Sequence, residues 1–299
     1  MHHFSWCASL LAIAISPAFS QIASNHTTIL GVLEENPGIH YGDPNSRAVR
    51  VVFQSDGHEW IPFRSECPDH DCGKSAAPDY SSEIAWTIAF DGKNLGTVVT
   101  RTAENTHQLA SNQQQIVSTG PVPTIGKRTE AFEDALLYRP LIANSQPYFT
   151  DPAAWKPFAP PSDLFFVLRT GFRKSFPTLC RLDAGDNTKL QKFAYQDDDV
   201  KLVKAYRSRT GWIVARLHMQ AIDCNDVEAG FEIDDPWFLV DPTKSVTLLG
   251  SGFELVDAGD YDNDGNSEIV FAIKRDDRGG YELFYDNFKK HAIFEFGYH

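Results

Sequence analysis

Basic residues are scarce in this chain: 27 Lys and Arg stand against 40 Asp and Glu, a formal net charge of −13. A surface of that sign repels phosphate backbones and anionic headgroups, which argues against nucleic acid or acidic lipid as partners. Long apolar runs are missing as well. Leu10-Leu11-Ala12-Ile13-Ala14-Ile15 is too short to cross a bilayer, and no other stretch is a candidate span. The familiar catalytic motifs are also absent. There is no G-x-S-x-G elbow. His58-Glu59 lacks the second His of H-E-x-x-H, and neither G-x-x-x-x-G-K-[ST] nor G-x-G-x-x-G occurs. The histidines His58, His70, His107, His218 and His291 are scattered and suggest no constellation.

Cysteine is sparse, with five in the chain. Cys7 lies ahead of the apolar run, which is followed by Ala18-Phe19-Ser20, with small residues at both positions that determine cleavage. That order reads as a secretory signal peptide over residues 1–20, although its first residues carry no Lys or Arg. The expectation is therefore export, to the periplasm or outside the cell. Cys67, Cys72, Cys180 and Cys224 remain, and an even number in an oxidising compartment implies two disulfides. Of the three connectivities, Cys67–Cys72 with Cys180–Cys224 is favoured, because the first pair closes a short Pro-containing loop and the second joins predicted strands. A metal site using His70 is the alternative for the C-x₄-C pair.

What the chain does have is turns and short apolar segments. Val49–Phe53, Trp60–Phe63, Glu83–Phe90, Leu95–Thr100, Leu164–Leu168, Thr178–Leu182, Lys201–Tyr206, Trp212–Leu217, Trp237–Val240, Thr247–Leu249, Glu268–Ile273, Tyr281–Tyr285 and Ala292–Phe296 all read as strands. Pro62 puts its segment at a sheet edge. Residues 101–126 are polar and read as a surface excursion. One helix is expected over Glu130–Tyr138, which has acids first and Arg139-Pro140 as a stop. The Pro-rich stretch ending in Ala159-Pro160-Pro161-Ser162 is the best internal boundary, giving an N-terminal β-rich region over 21–160 and a C-terminal β region over 161–299. The class is all-β: an irregular or partial β-propeller-like fold of short antiparallel strands, with a β-sandwich assembly as the alternative.

The most informative residues are Asp260-Tyr261-Asp262-Asn263-Asp264-Gly265-Asn266-Ser267-Glu268, followed by Ile269-Val270-Phe271. Calcium takes six to eight oxygens. In a tightly turned loop the side chains of Asp260, Asp262 and Asp264 can converge. Gly265 permits the turn, Asn266 offers a carbonyl, and Glu268 closes the shell. An EF-hand would need a Glu at the twelfth position, where Phe271 stands. The β-branched and aromatic residues after Glu268 indicate a strand, not a helix. This D-x-D-x-D-G-x-x-E loop resembles the calcium loop of FG-GAP and VCBS-type repeats, the blades of integrin-α-like propellers, over roughly residues 256–271. Glu268 stands where that pattern more commonly has Asp. The resemblance implies a structural calcium ion. A faint echo, Leu182-Asp183-Ala184-Gly185-Asp186-Asn187 against Val256-Asp257-Ala258-Gly259-Asp260-Tyr261, lacks the later ligands.

Two functions are carried forward. The first is an exported, calcium-stabilised, non-enzymatic module that binds a protein or glycan. The second is a secreted hydrolase of glycans or phosphoesters with a structural calcium site. For the second, Asp234-Asp235 ahead of Pro236-Trp237 is the most suggestive carboxylate pair. A turn beside a core tryptophan is the plainer account of the same residues.

Overall fold

The structure, a computed structural model, describes residues 27–35, 47–63, 80–102, 112–125, 139–183, 186–224, 235–274 and 278–297. Among the described residues it is all-β apart from one α-helix and a 3-10 turn at Asp197–Asp199. The expected helix at 130–138, Cys67, Cys72, His70, His107 and the signal segment lie outside the described residues.

The first half forms β1 (Thr28–Glu35), β2 (Arg47–Ser55), β3 (Trp60–Pro62), β4 (Glu83–Phe90), β5 (Lys93–Arg101), β6 (Gln113–Ile116) and β7 (Leu141–Asn144). Their order is β1-β7-β4-β5-β6-β2-β3, and β1 also pairs with β2, so six strands close into a barrel with β3 at its side. Closure removes the free edges that an open sheet would expose. Gly31 sits at a bulge in the β1–β2 ladder, where a Cβ would come within 2.7 Å of Val49 and 3.0 Å of the Arg50 carbonyl. Only glycine fits that crossing. The polar segment Gln113–Ile116 is a strand within the barrel wall, contrary to its reading as surface. Gln114 is fully buried because Thr100 donates to it, and Thr100 in turn accepts from the Trp86 indole at 2.7 Å.

The second half forms β8 (Lys156–Pro157), α1 (Ser162–Ser175), β9 (Leu179–Asp183), β10 (Asp186–Phe193), β11 (Lys201–Arg207), β12 (Ile213–His218), β13 (Ile222–Asp223), β14 (Trp237–Val240), β15 (Val246–Gly250), β16 (Phe253–Gly259), β17 (Glu268–Lys274), β18 (Arg278–Tyr285) and β19 (Lys290–Gly297). Leu164–Leu168 is helical, not a strand. Leu164, Leu168 and Phe172 recur every four residues and form the buried stripe of α1, and Arg173 and Lys174 suit its C-terminus. The Cys180–Cys224 disulfide is present and ties the β9–β13 region together.

These elements stack in layers. β16 to β19 form an antiparallel meander in chain order. One face of it, with Val256, Val270, Tyr281, Leu283 and Phe294, shares a core with the barrel. The other, with Ile269, Phe271, Ile273 and Phe284, packs on Val214, Trp237 and Leu239 of the five-stranded sheet β15-β14-β12-β11-β8. That sheet's far face, with Ile213, Ala215, Phe238 and Val240, is covered by α1. A strand buried on both faces needs a continuous apolar run, which explains Ile269-Val270-Phe271 and Trp237-Phe238-Leu239-Val240. No helix among the described residues is long and apolar enough to cross a membrane.

Candidate metal centre

The acidic loop joins β16 to β17. Asp260 follows the last residue of β16, and Glu268 opens β17 opposite Gly259. The pairing of those strands brings the two ends of the loop together. One carboxylate oxygen each from Asp260, Asp262 and Glu268 lies within 4.8 Å of the others. Asp260 and Glu268 are buried, Glu268 to 1 % exposure. The backbone N–H groups of Asp264 and Gly265 donate to Asp260 at 3.1 Å each, and that of Tyr261 donates to Glu268 at 2.7 Å. Asn263 and Gly265 both take positive φ, the tight path the loop needs to turn its carboxylates inward.

Three of the five expected ligands are therefore gathered. Asp264 and Asn266 are exposed and engage each other: Asn266 donates to Asp264 from its backbone at 2.7 Å and from its side chain at 3.1 Å. Neither belongs to the group of converging oxygens. The Asp264 charge is nonetheless close enough to raise the pKa of Asp260, Asp262 and Glu268.

Electrostatics mark the loop as uncompensated. Burial, followed by the charges of Asp264 and Asp262, pushes Asp260 from 3.8 up to about 6. Burial also raises Asp262, and it holds Glu268 well above the usual carboxylate range, with the three aspartates adding to the effect. No Lys or Arg forms an ion pair with these groups among the described residues. Asp262 Oδ2 accepts from the Ser55 hydroxyl at 2.9 Å, but Oδ1 is buried without a partner. An all-oxygen donor set with an orphaned buried oxygen fits a hard divalent cation.

The supports of the loop were not evident in the sequence. Ser55 belongs to the end of β2, 207 residues away. The buried Asn144 at the end of β7 donates to the Tyr261 carbonyl at 2.7 Å. The Thr150 carbonyl accepts from Asp260 N–H at 2.7 Å. Ser267 donates to Asp151 Oδ1 at 2.6 Å, and Asp151 Oδ2 accepts from the Trp155 backbone N–H at 2.6 Å. Of these, only Ser267 lay within the legible motif.

The other sequence candidates are structural or isolated. Trp237 is fully buried and donates its indole N–H to the Phe253 carbonyl, the core role expected of it. Asp235 bridges Arg216 at 3.0 Å and His218 at 2.6 Å, while Asp234 lies outside the described residues. His58 is exposed in a turn, and His291 is held by Glu282 at 2.6 Å. Comparison with protein-family models, curated proteins and solved structures returns no match.

Proposed function

We infer that the chain is an exported β protein, stabilised by calcium at Asp260, Asp262 and Glu268, that acts as a non-enzymatic binding module. The observation that supports this reading is the largely buried carboxylate trio, which has no cationic partner among the described residues. Three like charges gathered at that spacing repel one another unless a cation or protons neutralise them. Asp264 and the Asn266 carbonyl complete the oxygen shell when the Asp264 side chain turns inward. Calcium supplies charge neutralisation and cross-links the two ends of the loop. The loop is tied to the barrel through Ser55 and Asn144, so that cross-link also braces the barrel against the β16–β19 sheet.

Thermal unfolding in calcium and in chelator tests the metal. The midpoint rises with calcium in the wild-type chain, by mass action on the folded state, and the rise disappears in Glu268→Gln. Identical midpoints in the two buffers would reject the site. Recovery of the chain from the periplasmic or culture fraction tests export, and retention in the cytoplasm would reject it.

A further inference from the structure

The metal loop shares one end of the layered stack with three other turns. In the β16–β19 sheet, Ile269 lies opposite Phe284, so the loop before β17 and the turn at 286–289 after β18 project the same way. In the neighbouring sheet, Ile213 lies opposite Val240, which places the turns before β12 and after β14 together. Aromatic contacts join the two sheets at this end. Phe288 packs against Trp155 with ring centroids 6.1 Å apart and against Trp212 at 5.6 Å. All three rings are half-buried against the core between the two sheets, each with one side left to solvent, although each comes from a different segment of the chain.

The backbone beneath these rings is strained. Asp286, Asn287 and Phe288 take successive φ values of 48°, 54° and 63°, and Ala154 beside Trp155 takes 51°. A run of left-handed residues that includes a bulky aromatic is unfavourable without glycine, and such conformations concentrate at binding sites. The rim is polar and of mixed charge, with Arg209, Thr210, Asp286 and Asn287 exposed. Arg209 N–H donates to the Ala153 carbonyl at 2.6 Å, which brings the Trp212 turn alongside the Trp155 segment.

We propose that Trp155, Trp212 and Phe288 form a platform for a neutral sugar ring of an oligosaccharide. A pyranose has one face of C–H groups, which stacks on aromatic rings, and a girdle of hydroxyls, which needs donors and acceptors of both kinds around it. The solvent-facing sides of these half-buried rings and the mixed rim supply both. The chain's net charge of −13 disfavours a polyanionic glycan. The proposal rests on the binding-module reading and gives its ligand class. The metal contributes through Asp151, whose carboxylate spans Ser267 of the loop and the backbone of Trp155.

The test is a tryptophan-fluorescence titration of the full chain with cellohexaose, maltohexaose and mannohexaose, each up to tens of millimolar, in calcium and in chelator. The expected result is a saturable change with at least one of them. Affinity falls about tenfold or more in Trp155→Ala and Trp212→Ala, the loss typical of truncating an aromatic anchor, and Trp155→Phe restores most of it. Should the alanine variants misfold, exposed Thr210→Ala and Asn287→Gly serve instead, each weakening binding severalfold with the far-ultraviolet dichroism unchanged. No saturable change with any of the three sugars overturns the proposal, as does binding indifferent to every variant. A sugar response without a calcium-dependent midpoint would overturn only the metal reading. The converse would overturn only the sugar platform.

Discussion

Two acidic sites in this molecule, one buried and one largely so, are built in opposite ways. Glu34, in the barrel wall, is met by Arg50 at 2.7 Å, Gln113 at 2.6 Å and the Tyr281 hydroxyl at 2.5 Å, and the Arg50 guanidinium lies 3.7 Å from the centre of the Phe296 ring. The chain supplies every compensating group. The trio of Asp260, Asp262 and Glu268 has backbone and hydroxyl donors but no side-chain cation among the described residues. A buried charge must be neutralised by something. At Glu34 that is the protein, and at the loop it is left to a cation or to protons. The contrast separates a site that holds the fold together by itself from one that depends on its surroundings.

The largest effect should come from breaking the self-sufficient site. Arg50→Met leaves Glu34 buried without its cation, with only Gln113 and Tyr281 still donating to it, which costs about 3–5 kcal/mol. Chemical denaturation should show that loss equally in calcium and in chelator. Glu268→Gln sharpens the other side of the contrast. It removes one of three repelling charges, so stability in chelator should hold or rise slightly. The calcium increment, worth about 2.7 kcal/mol at a hundredfold excess over Kd, should vanish.

Acid provides the third comparison. Asp260 is raised to about 6, and so is Asp257, which burial beside the loop disfavours as an anion. A carboxyl whose folded pKa exceeds its unfolded value binds its proton more tightly in the folded chain. Its contribution is therefore fully present below about pH 4 and is lost as pH rises to about 6. In chelator these two groups should make stability fall across that window. In calcium the Asp260 part reverses, because the cation needs the ionised form, and the calcium increment grows from pH 5 to pH 7. Midpoints measured at closely spaced pH values in both buffers check the sign. The smallest effect is expected from Ser55→Ala, which removes one hydrogen bond to Asp262 and costs about 0.5–1.5 kcal/mol. That loss should shrink in calcium if the metal takes over the Asp262 carboxylate.

The same pair of sites shows what the sequence could reveal. Asp260, Asp262 and Glu268 are local in the chain, so spacing alone singled them out, and the turn and following strand were legible with them. The Glu34 site draws on residues 16, 79 and 247 positions away, and no short pattern announces it. Barrel closure was hidden for the same reason. Gln113-Gln114-Gln115 looks like solvated chain, and only distant partners such as Thr100 make burial of Gln114 acceptable. Helix α1 was misread because Leu164–Leu168 is a short apolar run that suits either a strand or a buried helix. Its extension to Phe172 carried the four-residue spacing that decides the matter. Most other strands were legible, since alternation and turn residues mark them directly.

The most direct measurement is calorimetry of the wild-type chain, Arg50→Met and Glu268→Gln, each in millimolar calcium and in chelator. A calcium-dependent rise in midpoint is expected for the wild type and for Arg50→Met, and none for Glu268→Gln. A wild-type midpoint indifferent to calcium, or a rise that survives in Glu268→Gln, would contradict the claim that this loop relies on a cation from outside the chain.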